Sequence, residues 1–370
     1  MPAASELQRS PRLRRISELV AAAGEPSFRY KQIREALFRG PAETYAAVSV
    51  LPAKLRAELA RTLGERLLSV APGERQDSQQ TTKVLFELSD AKRVESVQMR
   101  YAGGHTTICV STQVGCPVKC VFCATGTIGY TRNLSADEIV DQVLYFTKQG
   151  TRVTNVVFMG MGEPLLNPAT FDALALLTDA ELAGFGQRRI SVSTVGIVPA
   201  MQRLTAEFPN VNLALSVHSP FEEQRTQLIP YGKGYPLSDA LAAVDEHARK
   251  TRRKVFLVYL LMRGVNDTPE HAAGLVRLVK ERADRALFHV NLTRYNPIEA
   301  PTALDPSANL PLAPTRRADV DAFRQRLEAQ GLTVTVRQSF GDDIDAACGQ
   351  LFAKYPNKRA LPVFAGVRKG

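Results

Sequence analysis

Cys116, Cys120 and Cys123 stand at the spacing Cys-x3-Cys-x2-Cys within residues 115–126. Thiolates at that spacing converge on one metal centre only if the backbone between them curls into a loop. Structural zinc sites and closed iron–sulfur clusters usually take four protein ligands. Three thiolates leave one metal position open for a substrate or cofactor. The competing reading is a structural zinc whose fourth ligand lies elsewhere. Cys109 and Cys348 complete a set of five cysteines. In a reducing compartment an odd set points to ligands or catalytic thiols rather than a disulfide framework.

The elements that must position these thiols alternate along the chain. Residues 82–88, 93–99 and 106–110 are rich in β-branched residues and read as short strands. Ser135 and Glu138 form a capping box that opens a helix ending near Gly150. Strands then follow at 153–159, 189–194, 211–217, 254–262, 287–293 and 332–336. Helices lie between them at 168–179, 198–208, 237–251, 269–283 and 316–330. Strand alternating with helix implies parallel strands with helical crossovers. Six strands, counted from Thr107, precede the last helix. The predicted fold class is therefore α/β, a partial (β/α)6 barrel whose chemistry gathers at the strand C-termini. Residues 1–75 read as a small helical accessory domain, with helical patterns at 17–23, 28–38, 42–48 and 55–68. The predicted organisation continues with a β extension at 76–104, the barrel at 105–345 and a C-terminal segment at 346–370.

The predicted strand ends carry polar and glycine residues. The three-cysteine loop follows the first, and Met159-Gly160-Met161-Gly162-Glu163-Pro164 the second. Ser193-Thr194-Val195-Gly196 and Ser216-Val217-His218-Ser219 end the next two. Arg263-Gly264-Val265-Asn266-Asp267 and Arg294-Tyr295-Asn296-Pro297 close the ring. Singly each is a turn or a packed strand end; as a ring with the cysteine loop they describe an active-site mouth.

Lys and Arg number 47 against 37 Asp and Glu, a net charge of +10. That excess favours a polyanionic partner such as RNA. Arg29, Lys31, Arg34 and Arg39 make one N-terminal helix basic, either a solvated face or a phosphate-contacting one. No apolar run approaches the roughly 20 residues that span a bilayer, and the basic N-terminus lacks a signal core, so a cytoplasmic protein is expected.

Three cluster thiolates on a partial barrel resemble the radical S-adenosylmethionine (SAM) superfamily. Cys109 in Ile-Cys-Val-Ser-Thr-Gln-Val-Gly-Cys, residues 159–164, Gly264-Val265-Asn266-Asp267 and Gly341-Asp342-Asp343-Ile344-Asp345-Ala346-Ala347-Cys348-Gly349-Gln350 narrow this further. Together they resemble the RlmN/Cfr family of 23S rRNA adenine methyltransferases over nearly the whole chain. Residues 122–129, 141–146 and 289–297 look more like the Cfr branch, which methylates carbon 8 of adenosine-2503 and confers resistance to ribosome-targeting antibiotics. Tyr295 stands where the RlmN branch typically has tryptophan, and this chain has none. Gly162-Glu163-Pro164 and Gly341-Asp342-Asp343 look more like RlmN, which methylates carbon 2 of the same base.

The resemblance implies a [4Fe-4S] cluster on Cys116, Cys120 and Cys123, and two molecules of SAM per turnover. It implies SAM contacts from Gly162, Glu163, Ser193, Ser216, Val217, His218 and Asn296. Cys348 would accept a methyl group from one SAM by displacement, and a radical from the second would activate it. Glu95 would accept the proton, and release would leave a transient Cys109–Cys348 disulfide. Implied partners are naked or partly assembled 23S rRNA and an electron donor such as flavodoxin or ferredoxin, acting with a monomer. The alternatives are carbon-2 methylation extending to tRNA, and a non-catalytic iron–sulfur or zinc RNA-binding protein. Phosphate contacts are expected from the basic helix and from Lys354, Lys358, Arg359, Arg368 and Lys369.

Overall fold

A computed structural model of the chain describes residues 4–298, 312–337 and 341–351. The five tail cations named above lie outside the described residues. Four helices come first: α1 (Ala4–Arg9), α2 (Pro11–Ala22), α3 (Phe28–Phe38) and α4 (Ala53–Leu63). In α2, Leu13, Ile16, Leu19 and Val20 fall on one buried stripe. Ser10 caps it, accepting from the Leu13 amide at 3.0 Å while its hydroxyl donates to Asp137 at 2.6 Å. The pattern read as a helix at 42–48 is only a short 3-10 turn, Tyr45–Ala47.

Ten strands form one sheet in the order β1-β2-β3-β4-β7-β8-β9-β10-β11-β12. β1 (Ala71–Asp77), β2 (Thr81–Glu87) and β3 (Arg93–Arg100) run antiparallel and lead into β4 (Thr106–Val110). A two-stranded hairpin, β5 (Gln113–Gly115) with β6 (Tyr130–Asn133), frames the cysteine loop and the short α5 (Ala124–Thr127). The parallel series is β4, β7 (Asn155–Phe158), β8 (Ile190–Thr194), β9 (Asn212–Ser216), β10 (Val255–Leu261), β11 (Phe288–Arg294) and β12 (Thr333–Val336). The connecting helices are α6 (Ala136–Lys148), α7 (Ala169–Thr178), α8 (Val198–Glu207), α9 (Glu222–Leu228), α10 (Leu237–Thr251), α11 (Pro269–Lys280) and α12 (Arg317–Glu328). Six strand–helix units and a closing strand match the partial barrel read from the alternation.

Register decides what faces inward. Val97 lies opposite Cys109, Cys109 opposite Val157, Val157 opposite Ser191, and Ser193 opposite Ala214. Side chains alternate faces along a strand. Glu95, Cys109, Ser193 and Ser216 therefore share one face of the sheet.

The accessory helices are tied to the barrel by charge. Arg12 bonds both oxygens of Asp141, at 2.6 and 2.8 Å, and lies 3.5 Å from Asp137, both on α6. Asp141 also accepts from the Ser69 amide at 2.6 Å and its hydroxyl at 2.7 Å. The basic face of α3 is largely used inside the molecule. Arg34 pairs with Glu6 at 3.1 Å, Arg39 donates to the carbonyls of Leu182 and Ala180, and Arg29 donates to the Val50 carbonyl at 2.8 Å. Lys31 remains exposed. Among the described residues no helix is long and apolar enough to cross a membrane.

Asp141 is fully buried, so removing it takes away both short bonds to the Arg12 guanidinium and leaves only Asp137 at 3.5 Å. Asp141→Ala should lower the unfolding free energy by about 3–5 kcal/mol. Denaturant titration checks this; a midpoint equal to wild type would mean that the pair does not hold the accessory helices.

Candidate active site: a three-thiol loop under the C-terminal segment

The cysteine loop is curled tightly at its neck. Gly115 has φ +76°, and a Cβ there would lie 1.8 Å from the Gly129 carbonyl oxygen. The Cys116 amide donates to that same oxygen at 2.8 Å. Lys119 sits in the left-handed region at φ +57° and turns the chain between Cys116 and Cys120. This local geometry is what the Cys-x3-Cys-x2-Cys spacing required.

Burial pushes the Cys116 thiol up to about 12, and raises Cys120 and Cys123 as well; the neighbouring thiols add to the effect on Cys116 and Cys120. Among the described residues no group of three or more His, Cys, Asp or Glu side chains is arranged to hold a metal. The three cysteines do share one apolar cluster. The donor chemistry fits an iron–sulfur cluster. Three thiols that resist ionisation alone, Cys120 buried and Cys116 and Cys123 half-buried, are soft ligands, which a bound metal deprotonates.

Beside them stands Glu163. Its Oε1 accepts from the Leu165 amide at 3.0 Å and its Oε2 from the Val195 amide at 2.9 Å. It therefore links the end of β7 to the end of β8. Burial pushes its carboxyl up to about 7, and the bonds from Val195, Thr194 and Leu165 oppose that rise. A buried carboxylate of this kind is stabilised by an incoming cation, and the ammonium of an amino acid is one. Gly162 has φ +99°, and a Cβ there would meet Gln113 at 2.6 Å, so no other residue lets the chain pass so close. Gln113 in turn accepts from the Glu163 amide at 2.9 Å.

The remaining residues expected to contact SAM sit at adjoining strand ends. Ser193 on β8 and Ser216 on β9 are half-buried, and Val217 is buried. His218 has φ +57° and accepts from the Leu260 amide at Nδ1, 3.0 Å away. Burial, with Arg225 nearby, lowers its pKa to about 3, so it is neutral with its proton on Nε2. Its ring meets Phe122 of the cysteine loop edge-on at 4.8 Å. Asn296 donates to the Cys348 carbonyl at 3.2 Å. Tyr295 packs into the apolar cluster around Val118, Cys120 and Phe122.

The C-terminal segment lies on this loop. The Ala124 amide donates to the Gly349 carbonyl at 2.7 Å, and the Thr125 hydroxyl to the Leu351 carbonyl at 2.7 Å. Cys348 is consequently held over a cavity of about 300 Å³, lined also by Cys109, Cys123, Asn296, Tyr101 and Arg337. Cys109 and Cys348 are both free thiols. Burial pushes Cys109 up to about 12, with Cys348 adding to it and Arg337 opposing it. Glu95 is buried outside the cavity lining and pairs with Lys83 at 3.4 Å. Lys83 also donates to the Asp345 carbonyl at 3.3 Å, tying β2 to the C-terminal segment.

Sequence reasoning passed over Lys83, Arg337 and Arg225. A lysine within the apolar run of β2 was a visible signal for the first. Nothing local marks the other two.

Residues 110–276 match the Radical SAM superfamily. The chain is 43% identical to the "Ribosomal RNA large subunit methyltransferase Cfr" of Bacillus velezensis, over 95% of this chain and 99% of that one. It is 44% identical to the protein of that name from Staphylococcus aureus, over 93% of this chain and 97% of that one. A radical SAM methyltransferase from Sphaerobacter thermophilus has a crystal structure that superposes with a TM-score of 0.84. It is 40% identical and covers 92% of this chain and 98% of its own. With its cysteine loop, strand-end carboxylate and second thiol pair in place, the chain belongs to the RlmN/Cfr family of radical SAM ribosomal RNA methyltransferases.

Proposed function

We propose that the protein methylates adenosine-2503 of 23S rRNA at carbon 8, with Cys348 carrying the methyl group. The observation that carries the methyl-carrier role is the placement of Cys348, Cys109 and Cys123 around one cavity, and the carbon-8 reading is supported by the 43–44% identity to proteins named Cfr. Its cofactors are a [4Fe-4S] cluster, held by Cys116, Cys120 and Cys123, and SAM. When bound, they supply one-electron cleavage of SAM, the chemistry needed to functionalise an electron-poor aromatic carbon.

The chain's own residues supply the rest. Glu163 receives the amino group of SAM, and Gly162 lets it approach. Ser193, Ser216, Val217 and His218 line its course, and Asn296 fixes the Cys348 backbone. The Cys348 thiol, exposed at the cavity, takes the methyl group; a sulfur nucleophile suits that displacement. The Cys109 thiol resolves the protein–RNA link by attack on the Cys348 sulfur, giving a transient disulfide. Glu95, outside the cavity lining but on the sheet face that carries Cys109, is the proton acceptor for the base. The target base must leave its stack to enter the cavity.

Naked or partly assembled 23S rRNA is the partner, with a flavodoxin or ferredoxin as electron donor, a monomeric state and a cytoplasmic setting. A basic N-terminal surface including Lys31 contributes to RNA binding. Carbon-2 methylation is the second reading, favoured by Gly162-Glu163-Pro164 and Gly341-Asp342-Asp343.

The test is anaerobic reaction with 23S rRNA and SAM, followed by mass spectrometry of the digested adenosines. 8-Methyladenosine is expected, whereas 2-methyladenosine would move the protein to the second reading. In the same assay Cys109→Ala should accumulate a covalent protein–RNA adduct, and full turnover by that variant would refute the role of Cys109.

A second expectation concerns pH. Glu163 binds a cation only when ionised, and its carboxyl titrates near pH about 7. The affinity for SAM should therefore fall as pH drops below 7, by roughly tenfold per unit. Glu163→Gln should bind weakly at every pH. Equilibrium dialysis reads both, and a wild-type affinity that is flat from pH 8 to about 5.5 would contradict the assignment.

A further inference from the structure

Arg225, on α9, is fully buried. Its Nη2 donates to the carbonyls of Val195 at 2.6 Å and Ser216 at 3.1 Å, at the ends of β8 and β9. Its Nε and Nη1 are buried with no hydrogen-bond partner. Its own helix carries two acids, Glu222 and Glu223; Glu222 favours the guanidinium through its charge, but its carboxylate accepts from the Leu237 amide at 2.7 Å and not from Arg225. A buried guanidinium with two idle donors is strongly disfavoured unless an anion compensates it. Arginine does not shed its proton, so neutralisation is not open to it.

The surroundings say where that anion belongs. One helical turn after Arg225, the Leu228 carbonyl accepts from the Val121 amide at 3.2 Å, next to Cys120. Leu228 and Ile229 pack with Val118, Cys120 and Phe122 in one apolar cluster. Val195, whose carbonyl the guanidinium bonds, packs against the same cluster. The cation thus sits one helical turn from the contact of α9 with the cysteine loop, in a place that water does not screen. A cluster held by thiolates carries negative charge and gains more when it accepts an electron. Its potential depends on net charge, burial and hydrogen bonds to sulfur.

We infer that Arg225 is a positioning residue for electron transfer, whose buried and incompletely bonded guanidinium offsets the negative charge of the reduced cluster and raises its reduction potential. This rests on the reading that Cys116, Cys120 and Cys123 hold a four-iron cluster. The step moves one electron from a low-potential one-electron donor into the cluster; no bond breaks and no proton moves. A merely structural Arg225, tying β8 to β9, would affect how much cluster is loaded but not the potential of the loaded fraction.

The experiment is a redox titration of the reconstituted full-length protein without SAM, poised with dithionite and followed by electron paramagnetic resonance. Iron and sulfide are assayed in parallel. Arg225→Gln retains a donor for the strand-end carbonyls and loses the charge; Arg225→Lys retains the charge and loses the fork. The Gln variant should show a reduced-to-oxidised ratio at least tenfold lower at a fixed potential, a shift of about 59 mV for one electron. The Lys variant should stay close to wild type. A Gln variant that titrates with wild type overturns the inference. So does a Lys variant that shifts by tenfold or more, which decides the matter even if the Gln protein loads no cluster. Wild-type protein without a four-iron signal would instead overturn the cluster reading on which the inference rests.

Discussion

Two hydrogen bonds from the cysteine loop to the C-terminal segment organise the site. The Ala124 amide holds the Gly349 carbonyl, and the Thr125 hydroxyl holds the Leu351 carbonyl. Both acceptors are backbone atoms within three residues after Cys348, so the thiol is placed whatever its own chemical state. Asn296 fixes the Cys348 carbonyl from the end of β11, and Lys83 fixes Asp345 from β2. On the proposed reading Cys348 is methylated, activated and attacked in turn, which needs a fixed backbone and a free sulfur. The segment provides both.

The partial barrel makes this arrangement possible. Parallel strands bring their C-terminal ends together, and each end contributes one polar element. Glu163 links two of these ends through its carboxylate, and Arg225 links two through its guanidinium. Both are buried groups at the strand ends, of opposite charge type. The carboxylate suits the cationic end of an amino acid, and the guanidinium suits a negatively charged cluster. The antiparallel extension β1–β3 continues the same sheet and brings Glu95 onto the face that carries Cys109.

Much of this was legible in the residues. Buried parallel strands read as short apolar runs, so the alternation from α6 to β12 emerged within a few residues of its true bounds. The cysteine spacing demanded a curled loop, and Gly115 and Lys119 supply it. Other parts were hidden for physical reasons. β1 is a polar edge strand, Ala-Pro-Gly-Glu-Arg-Gln-Asp, with neither alternation nor β-branched residues. α9 is a short helix with few apolar residues. The basic spacing in α3 suggested a phosphate surface, yet a sequence cannot show that Arg34 and Arg39 meet Glu6 and the chain after α7. The Lys83–Glu95 pair and the cavity side of Arg337 depend on register and closure, which only the folded sheet determines.

The account turns on which sulfur carries the methyl group. Reconstituted protein supplied with SAM bearing an isotopically labelled methyl group can be digested and analysed by tandem mass spectrometry before RNA is added. The label is expected on the peptide containing Cys348, lost once RNA is supplied. Label on Cys109, or RNA methylation without label ever appearing on Cys348, would contradict it.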